Sequence, residues 1–279
     1  MKEIKSSKNT SRLKKLFIKI CRLLGYELID QSTLEFPASN KNHQNQLSIP
    51  GKRSYSLGSG ETLITRKVKS LDIILKTCTS IHLVSQNKKR IFEKEKFEYT
   101  LRSIKSLCKS ANELKKKFPD LIIKFLIIDI GSEEIHRNKY LSLLDGFNFG
   151  LKKLDKDSLN FKPKTIDKKN SKIEKNMSTT MASIHESFIQ AKNCDDLIYF
   201  VEDDYIHKPE ALAEMVFAYE KFSSIFKKEL FLLSTDYPYL YKRFDNTSIL
   251  IGENYHWRSV KESLLTFMTS KSMIDKHFE

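Results

Sequence analysis

The stretch LIYFVEDDYIHKPEAL, residues 197–212, sets Glu202, Asp203 and Asp204 side by side behind a run of strand-forming apolar residues. Adjacent carboxylates repel one another and each resists leaving water, so a positive partner is expected beside them. Two partners are open: a hard divalent cation, Mn²⁺ or Mg²⁺, which takes oxygen ligands, or a lysine such as Lys208 pairing with a solvated turn. Other polar residues stand at the ends of apolar runs in the same way. Thr77 closes LDIILKT, Asp129 closes LIIKFLIID, and Asp236 follows ELFLLST. In open α/β sheets ligands gather beyond the carboxyl ends of strands, so several such ends on one rim say more than any one alone.

The elements that would carry this rim alternate in period. Strand-like runs at 71–80, 121–132 and 197–201 are separated by helical patterns. In EKFEYTLRSIKSLCKSANELKKKF, Phe97, Leu101, Ile104, Cys108, Ala111 and Leu114 recur at helical spacing. A short helix is expected around Tyr140–Leu144, another from Ser178 to Asn193, and another behind Pro209. ELFLLSTDYPY reads as a further strand and turn, and the lysine-rich tract at 155–175 as a loop. The order predicts an α/β layer with a mainly parallel sheet flanked by helices.

Ahead of that layer lie two other segments. Residues 1–29 hold a basic amphipathic helix, with Leu13, Phe17, Ile20 and Leu24 on one face and Arg12, Lys15, Lys19 and Arg22 on the other. Such a face suits an anionic membrane surface, or docking on the chain's own domain. Residues 30–67 are rich in Ser, Asn, Gln and Gly and read as a linker or irregular strap. The main domain is expected over 68–279.

The 279 residues carry a formal charge of +14, with 40% hydrophobic and 30% charged residues. The excess suits an anionic partner or reflects a lysine-biased composition. No apolar run approaches a membrane-spanning length, and the basic N-terminus shows no signal peptide. Cys21, Cys78, Cys108 and Cys194 lack metal-ligand spacing and read as free thiols of a reducing compartment, so a cytoplasmic location is expected.

The block DDLIYFVEDDYIHKPEALAEM resembles the DxD region of GT-A-fold glycosyltransferases, particularly family-2-like enzymes, with Glu-Asp-Asp as a variant of the motif. LDIILKTCTS is similar to that family's first strand, and FLIIDIGSEE to its DDGS segment, although Ile130 stands where a second acid is usual. The resemblance covers roughly Val68–Phe222. It implies a GT-A-like, Rossmann-related fold whose nucleotide-binding half spans about 68–205 and whose acceptor half spans about 206–279. It implies a nucleotide-diphosphate sugar donor, and a cell-surface glycan or lipid-linked acceptor at the cytoplasmic face of a membrane.

In residue terms, Asp204 would hold the metal with Glu202, which also contacts the ribose. Asp203 would shape the turn and line the donor site. Asp129 would bond the nucleotide and Thr77 would line the base pocket. For inversion a carboxylate must take the acceptor proton, and Asp236 is the first candidate, with Glu253 and Glu262 in reserve. His256 is a further metal or phosphate ligand, and Trp257 with Arg258 suits sugar stacking and diphosphate binding. Competing readings are a metal-dependent nucleotidyltransferase, whose glycine-rich phosphate loop is missing, and a nuclease. No nucleic-acid partner is expected, because aromatics do not interleave with basic residues in a recognisable module. A non-catalytic, membrane-associated scaffold on a degenerate transferase fold is the remaining alternative.

Overall fold

The computed structural model describes residues 12–26, 62–80, 95–155, 171–237, 240, 247–262 and 264–278, with the side chains of 12–15, 22 and 171–178 left aside. The chain divides into two units, Met1–Glu61 and Thr62–Glu279. In the first, helix α1 runs Arg12–Leu23, and Leu16, Phe17, Ile20, Leu23 and Leu24 are exposed. Most of residues 30–67, the expected linker, lie outside the described residues.

The second unit is a three-layer α/β domain. Strand β1 (Ser70–Thr77) is followed by α2 (Lys96–Lys117), β2 (Ile122–Ile130), α3 (Glu134–Leu141), β3 (Asn148–Leu154), α4 (Ser171–Ala191), β4 (Leu197–Glu202) and α5 (Ala211–Phe226). A small hairpin of β5 (Ile249–Ile251) and β6 (His256–Arg258) comes next, then β7 (Phe267–Ser270) and α6 (Lys271–His277). The main sheet has the order β3-β2-β1-β4-β7, parallel throughout except for β7, which pairs antiparallel with β4.

Both faces of that sheet are covered, which is why β1 is buried along its whole length rather than at every second residue. Leu71, Ile73 and Leu75 of β1 pack with Phe125, Ile127, Tyr199 and Val201 against α2 and α5. Ile74, Ile128, Ile198 and Phe200 point the other way, toward Ala191 of α4 and Ile274 of α6. The expected mainly parallel sheet between helices is therefore present.

Four local expectations differ. α4 begins at Ser171, inside the tract read as a loop, whose residues 156–170 lie outside the described residues. β3 was not expected, because NFGLKKL is polar on an edge and only Leu151 and Leu154 are partly buried. Among its described residues, 229–237, ELFLLSTDYPY forms an isolated bridge, Leu232 to Met268, rather than a strand. β7, with four residues, is too short for its period to be read.

The segment before β1 is tied down tightly. Backbone N–H groups of Thr65 and Arg66 both donate to Ser224 Oγ at 3.0 Å, and that of Val68 to Glu220 Oε1 at 2.8 Å. The Arg66 guanidinium bridges Asp196 and Glu229, joining the strand-entry end of β4 to the far end of α5.

At the other end of α5 the hairpin is hung from one buried carboxylate. Glu214 accepts from the backbone N–H of Glu253 (3.0 Å) and Asn254 (2.8 Å) and from the indole N–H of Trp257 (3.0 Å). Gly252 lies directly against it, and an added Cβ would stand 2.0 Å from Glu214 Oε1. Gly252→Ala is therefore expected to cost about 1–3 kcal/mol by overpacking, read as a lowered midpoint in urea unfolding.

Candidate active site

The strand order places β1 at a reversal. From β1 the chain winds outward through β2 and β3 on one side, and β4 lies on the other. The crevice between the carboxyl ends of β1 and β4 is thus a topological switch point, the usual ligand position in doubly wound sheets. Lys76 and Thr77 end one of its walls, and Glu202, Asp203 and Asp204 end the other.

Strand alternation splits the three acids. Asp203 turns toward α2 and is 6% exposed. Its Oδ1 pairs with Lys96, while Oδ2 accepts from Thr100 Oγ1 (2.7 Å) and the Cys78 backbone N–H (3.2 Å). Both oxygens are occupied inside the fold. Glu202 is half-buried, in register with Lys76 across the sheet, and Lys76 Nζ lies 3.3 Å from its Oε1. Burial lowers the pKa of Lys76, opposed by the negative charges of Glu202, Asp203 and Asp204. Asp204 is exposed at the turn.

After the turn the chain runs along α2, held by a row of hydroxyls. Thr100 donates to Asp203, Ser103 to the Tyr205 carbonyl at 2.7 Å, and the next two accept: Ser106 from the His207 N–H (2.9 Å) and Ser110 from the Leu212 N–H (3.0 Å). The spacing follows one stripe of the helix. Such hydroxyls satisfy an irregular chain that would otherwise bury unpaired backbone groups.

Asp129 and Thr77 are side by side in the sheet, as expected for a shared rim, but both face inward. Asp129 is 1% exposed; its Oδ1 accepts from Thr77 Oγ1 and Tyr140 OH, each at 3.0 Å, and Oδ2 from Arg137 Nε at 3.0 Å. Gly131, at φ +78°, turns the chain out of β2, and Ser132 Oγ accepts the Thr79 N–H at 3.1 Å. Asp129 therefore braces the rim through Arg137 and Tyr140.

Asp236, Arg258, His256 and Trp257 meet elsewhere, around a cavity of about 920 Å³ whose lining begins at Tyr205, one residue beyond the acidic turn. Arg258 grips Asp236 with Nε 3.0 Å from both carboxylate oxygens and Nη2 2.6 Å from Oδ1. Trp257 packs edge-on to Phe222. His207 also lines this cavity; Tyr199 OH lies 2.8 Å from its Nε2.

The reserve acids are not gathered with these groups. Glu253 pairs with Lys117 at the last residue of α2, whereas Asp203 pairs with Lys96 at its first. The 21-residue offset along the helix separates those lysines by about 30 Å, so Glu253 and the acidic turn lie at opposite ends of α2. Glu262 is exposed in the segment leading to β7.

Among the described residues no three His, Cys, Asp or Glu side chains form a group able to hold a metal. A Mg²⁺-like cation shared with a diphosphate needs only one or two carboxylates, the rest of its shell coming from phosphate and water. Glu202 and Asp204 fit that donor set. Asp203 does not, because its oxygens are used, and His256 stands in the cavity wall.

Lys76, Lys96, Thr100, Ser103, Arg137, Tyr140 and Glu214 were not singled out from the sequence. One signal was present: Thr100, Ser103 and Ser110 interrupt the apolar stripe of α2 at helical spacing, and all are fully buried.

No family model matches the chain, and no curated protein matches it either. Among solved structures it is similar to two of the galactosyltransferase LgtC, an active-site mutant and a complex with donor and acceptor sugar analogs. Identity is 17% and 18%, and each match covers 48% of this chain and 38% of LgtC at a TM-score of 0.27. A likeness that low carries no weight for fold or function.

Two measurements follow from these contacts. Asp203→Ala strands the Lys96 ammonium in a buried site and should lose about 3–5 kcal/mol, whereas Asp204→Ala at the exposed turn should stay within about 0.5 kcal/mol; urea titrations separate them. His207 is the second case: burial lowers its pKa to about 4 from 6.5. The unfolded chain takes up this proton before the folded one does. Stability from the neutral ring is thus complete above pH 6.5 and falls as pH drops toward 4, by about 3 kcal/mol in all. His207→Gln should flatten that part of the stability–pH curve.

Proposed function

We propose that the chain is a GT-A-type glycosyltransferase that moves a sugar from a nucleotide-diphosphate donor to a glycan or lipid-linked acceptor, with inversion. The observation that carries this reading is the acidic turn at the β1/β4 switch point, with Glu202 and Asp204 separated by the inward-turned Asp203. That alternation is what a DxD-like turn requires: outer carboxylates for the ligand and a middle residue for the fold.

In this reading the donor lies over the carboxyl ends of β1 and β4. Asp204 and Glu202 would hold a divalent cation, Mn²⁺ or Mg²⁺, which when bound supplies Lewis-acid stabilisation to the leaving diphosphate. Asp236, at the lip of the neighbouring cavity, accepts the proton of the attacking hydroxyl, with Arg258 fixing the carboxylate's orientation. The rim formed by Asp129, Arg137 and Tyr140 keeps the base side of the crevice rigid. The exposed apolar residues of α1 and the basic residues around them support contact with an anionic membrane at its cytoplasmic face. Among the described residues no helix is long and apolar enough to cross a membrane.

One observation favours a second reading, the non-catalytic scaffold. Lys96 and Lys76 already compensate two of the three acids from within the fold.

Calorimetric titration of a nucleoside-diphosphate panel, with and without Mn²⁺, decides between them. Metal-dependent binding of one nucleotide, weakened at least ~10-fold or ~1.4 kcal/mol by Asp204→Ala, is expected for the transferase. A folded wild-type protein that binds none of the panel would establish the scaffold instead.

A further inference from the structure

We infer that the cavity between α5 and the β5–β6 hairpin binds the alkyl chain of a neutral, hydroxyl-headed amphiphile, an alkyl glycoside in chemical class. Naming that amphiphile the acceptor rests on the transferase reading; its binding does not.

The cavity, at about 920 Å³, is of the size that encloses a drug-sized ligand, roughly 300–1,000 Å³. Its inner wall is apolar: Met215, Phe222, Leu230, Leu232 and Leu250. Its mouth is apolar as well, with Ile206 67%, Ile249 70%, Phe231 48% and Phe226 45% exposed. Large side chains clustered at an opening, on a chain otherwise this basic, mark a surface that something covers. A concave apolar space of this size suits a chain that enters it.

The polar lip decides the head group. Arg258 and Asp236 cancel in a bidentate pair. Lys208 donates to Tyr255 OH at 3.1 Å, and that hydroxyl donates to Glu210. Glu214, deeper in the wall, spends its carboxylate on the hairpin's N–H groups. Among the described residues the charges at the lip are thus compensated, and a charged head would shed water without gaining an uncommitted counter-charge from them. A sugar-like head instead meets His256, Tyr255 and the Asp236–Arg258 pair as donors and acceptors. The acidic turn ends one residue before Tyr205 in the cavity wall, so the cavity adjoins the switch-point crevice there.

Trp257, the only tryptophan of the chain, lines the cavity and reports its occupancy. The test is tryptophan fluorescence of the full chain titrated with decyl maltoside below its micellar concentration, beside maltose and decyl phosphate. A saturable spectral shift with decyl maltoside, none with maltose and a weaker one with decyl phosphate is expected. Ile249→Asp, at an exposed mouth position, should weaken binding roughly tenfold, while Ile135→Asp, exposed on α3 outside the cavity, should not. No saturable shift, or an unchanged affinity in Ile249→Asp, overturns the proposal. Equal or tighter binding of decyl phosphate overturns the head-group assignment. Failure of the nucleotide panel leaves these outcomes readable, because the titration needs no nucleotide and Trp257 lines the cavity itself.

Discussion

The carboxylate of Asp203 is the point on which the switch-point crevice depends. One buried side chain gathers an ammonium from the start of α2, a hydroxyl one turn further along, and a backbone N–H from just beyond β1. A buried charge is costly unless it is paired and hydrogen-bonded, and here both conditions are met at once. The consequence is geometric: the ends of β1 and β4 and the first turn of α2 are held together, and the turn has one orientation. Glu202 and Asp204 inherit their positions from it.

The same economy governs the chain that follows. Residues 203–210 have no regular structure before α5 begins, yet they run along α2 with Asp203 and His207 buried. Backbone groups there need partners, and the hydroxyl row of α2 provides them at one-turn intervals. A helix of purely apolar residues on that face would pack equally well against the sheet and leave this segment unsatisfied. The Asp129–Arg137–Tyr140 cluster does the corresponding work at the end of β2, and Glu214 at the hairpin. At the turn, at the end of β2 and at the hairpin, a buried acid is committed to holding a loop.

This sorting gives the two neighbouring regions different characters. The crevice is polar, with Glu202 and Asp204 on the outer side of the turn and Lys76 close behind them. The cavity beyond Tyr205 is apolar with a charge-compensated lip. A transferase must hold an anionic donor and a separate acceptor within reach of each other, and regions of unlike chemistry sharing one wall suit that division. The scaffold alternative turns on whether Lys76 and Lys96 complete the electrostatics of the acidic turn or leave room for a ligand's cation.

Much of the fold was legible in the sequence because buried parallel strands and amphipathic helices declare themselves by period. β1, β2, β4, α2 and α5 fall where those periods place them, and the acidic turn stands out as acids behind an apolar run. Short or edge elements such as β3 and β7 have too few buried residues to show a period, and the start of α4 lay in a lysine-rich tract whose composition hid it. The site was legible as residue types only. Asp129, Asp203 and Asp204 are alike in sequence, each an acid at a strand end. Tertiary structure separates them, because strand alternation, the arrival of α2 and α3, and the register of β1 against β4 decide which carboxylate meets a buried cation and which meets solvent. Those partners come from residues distant along the chain, so no local pattern carries them.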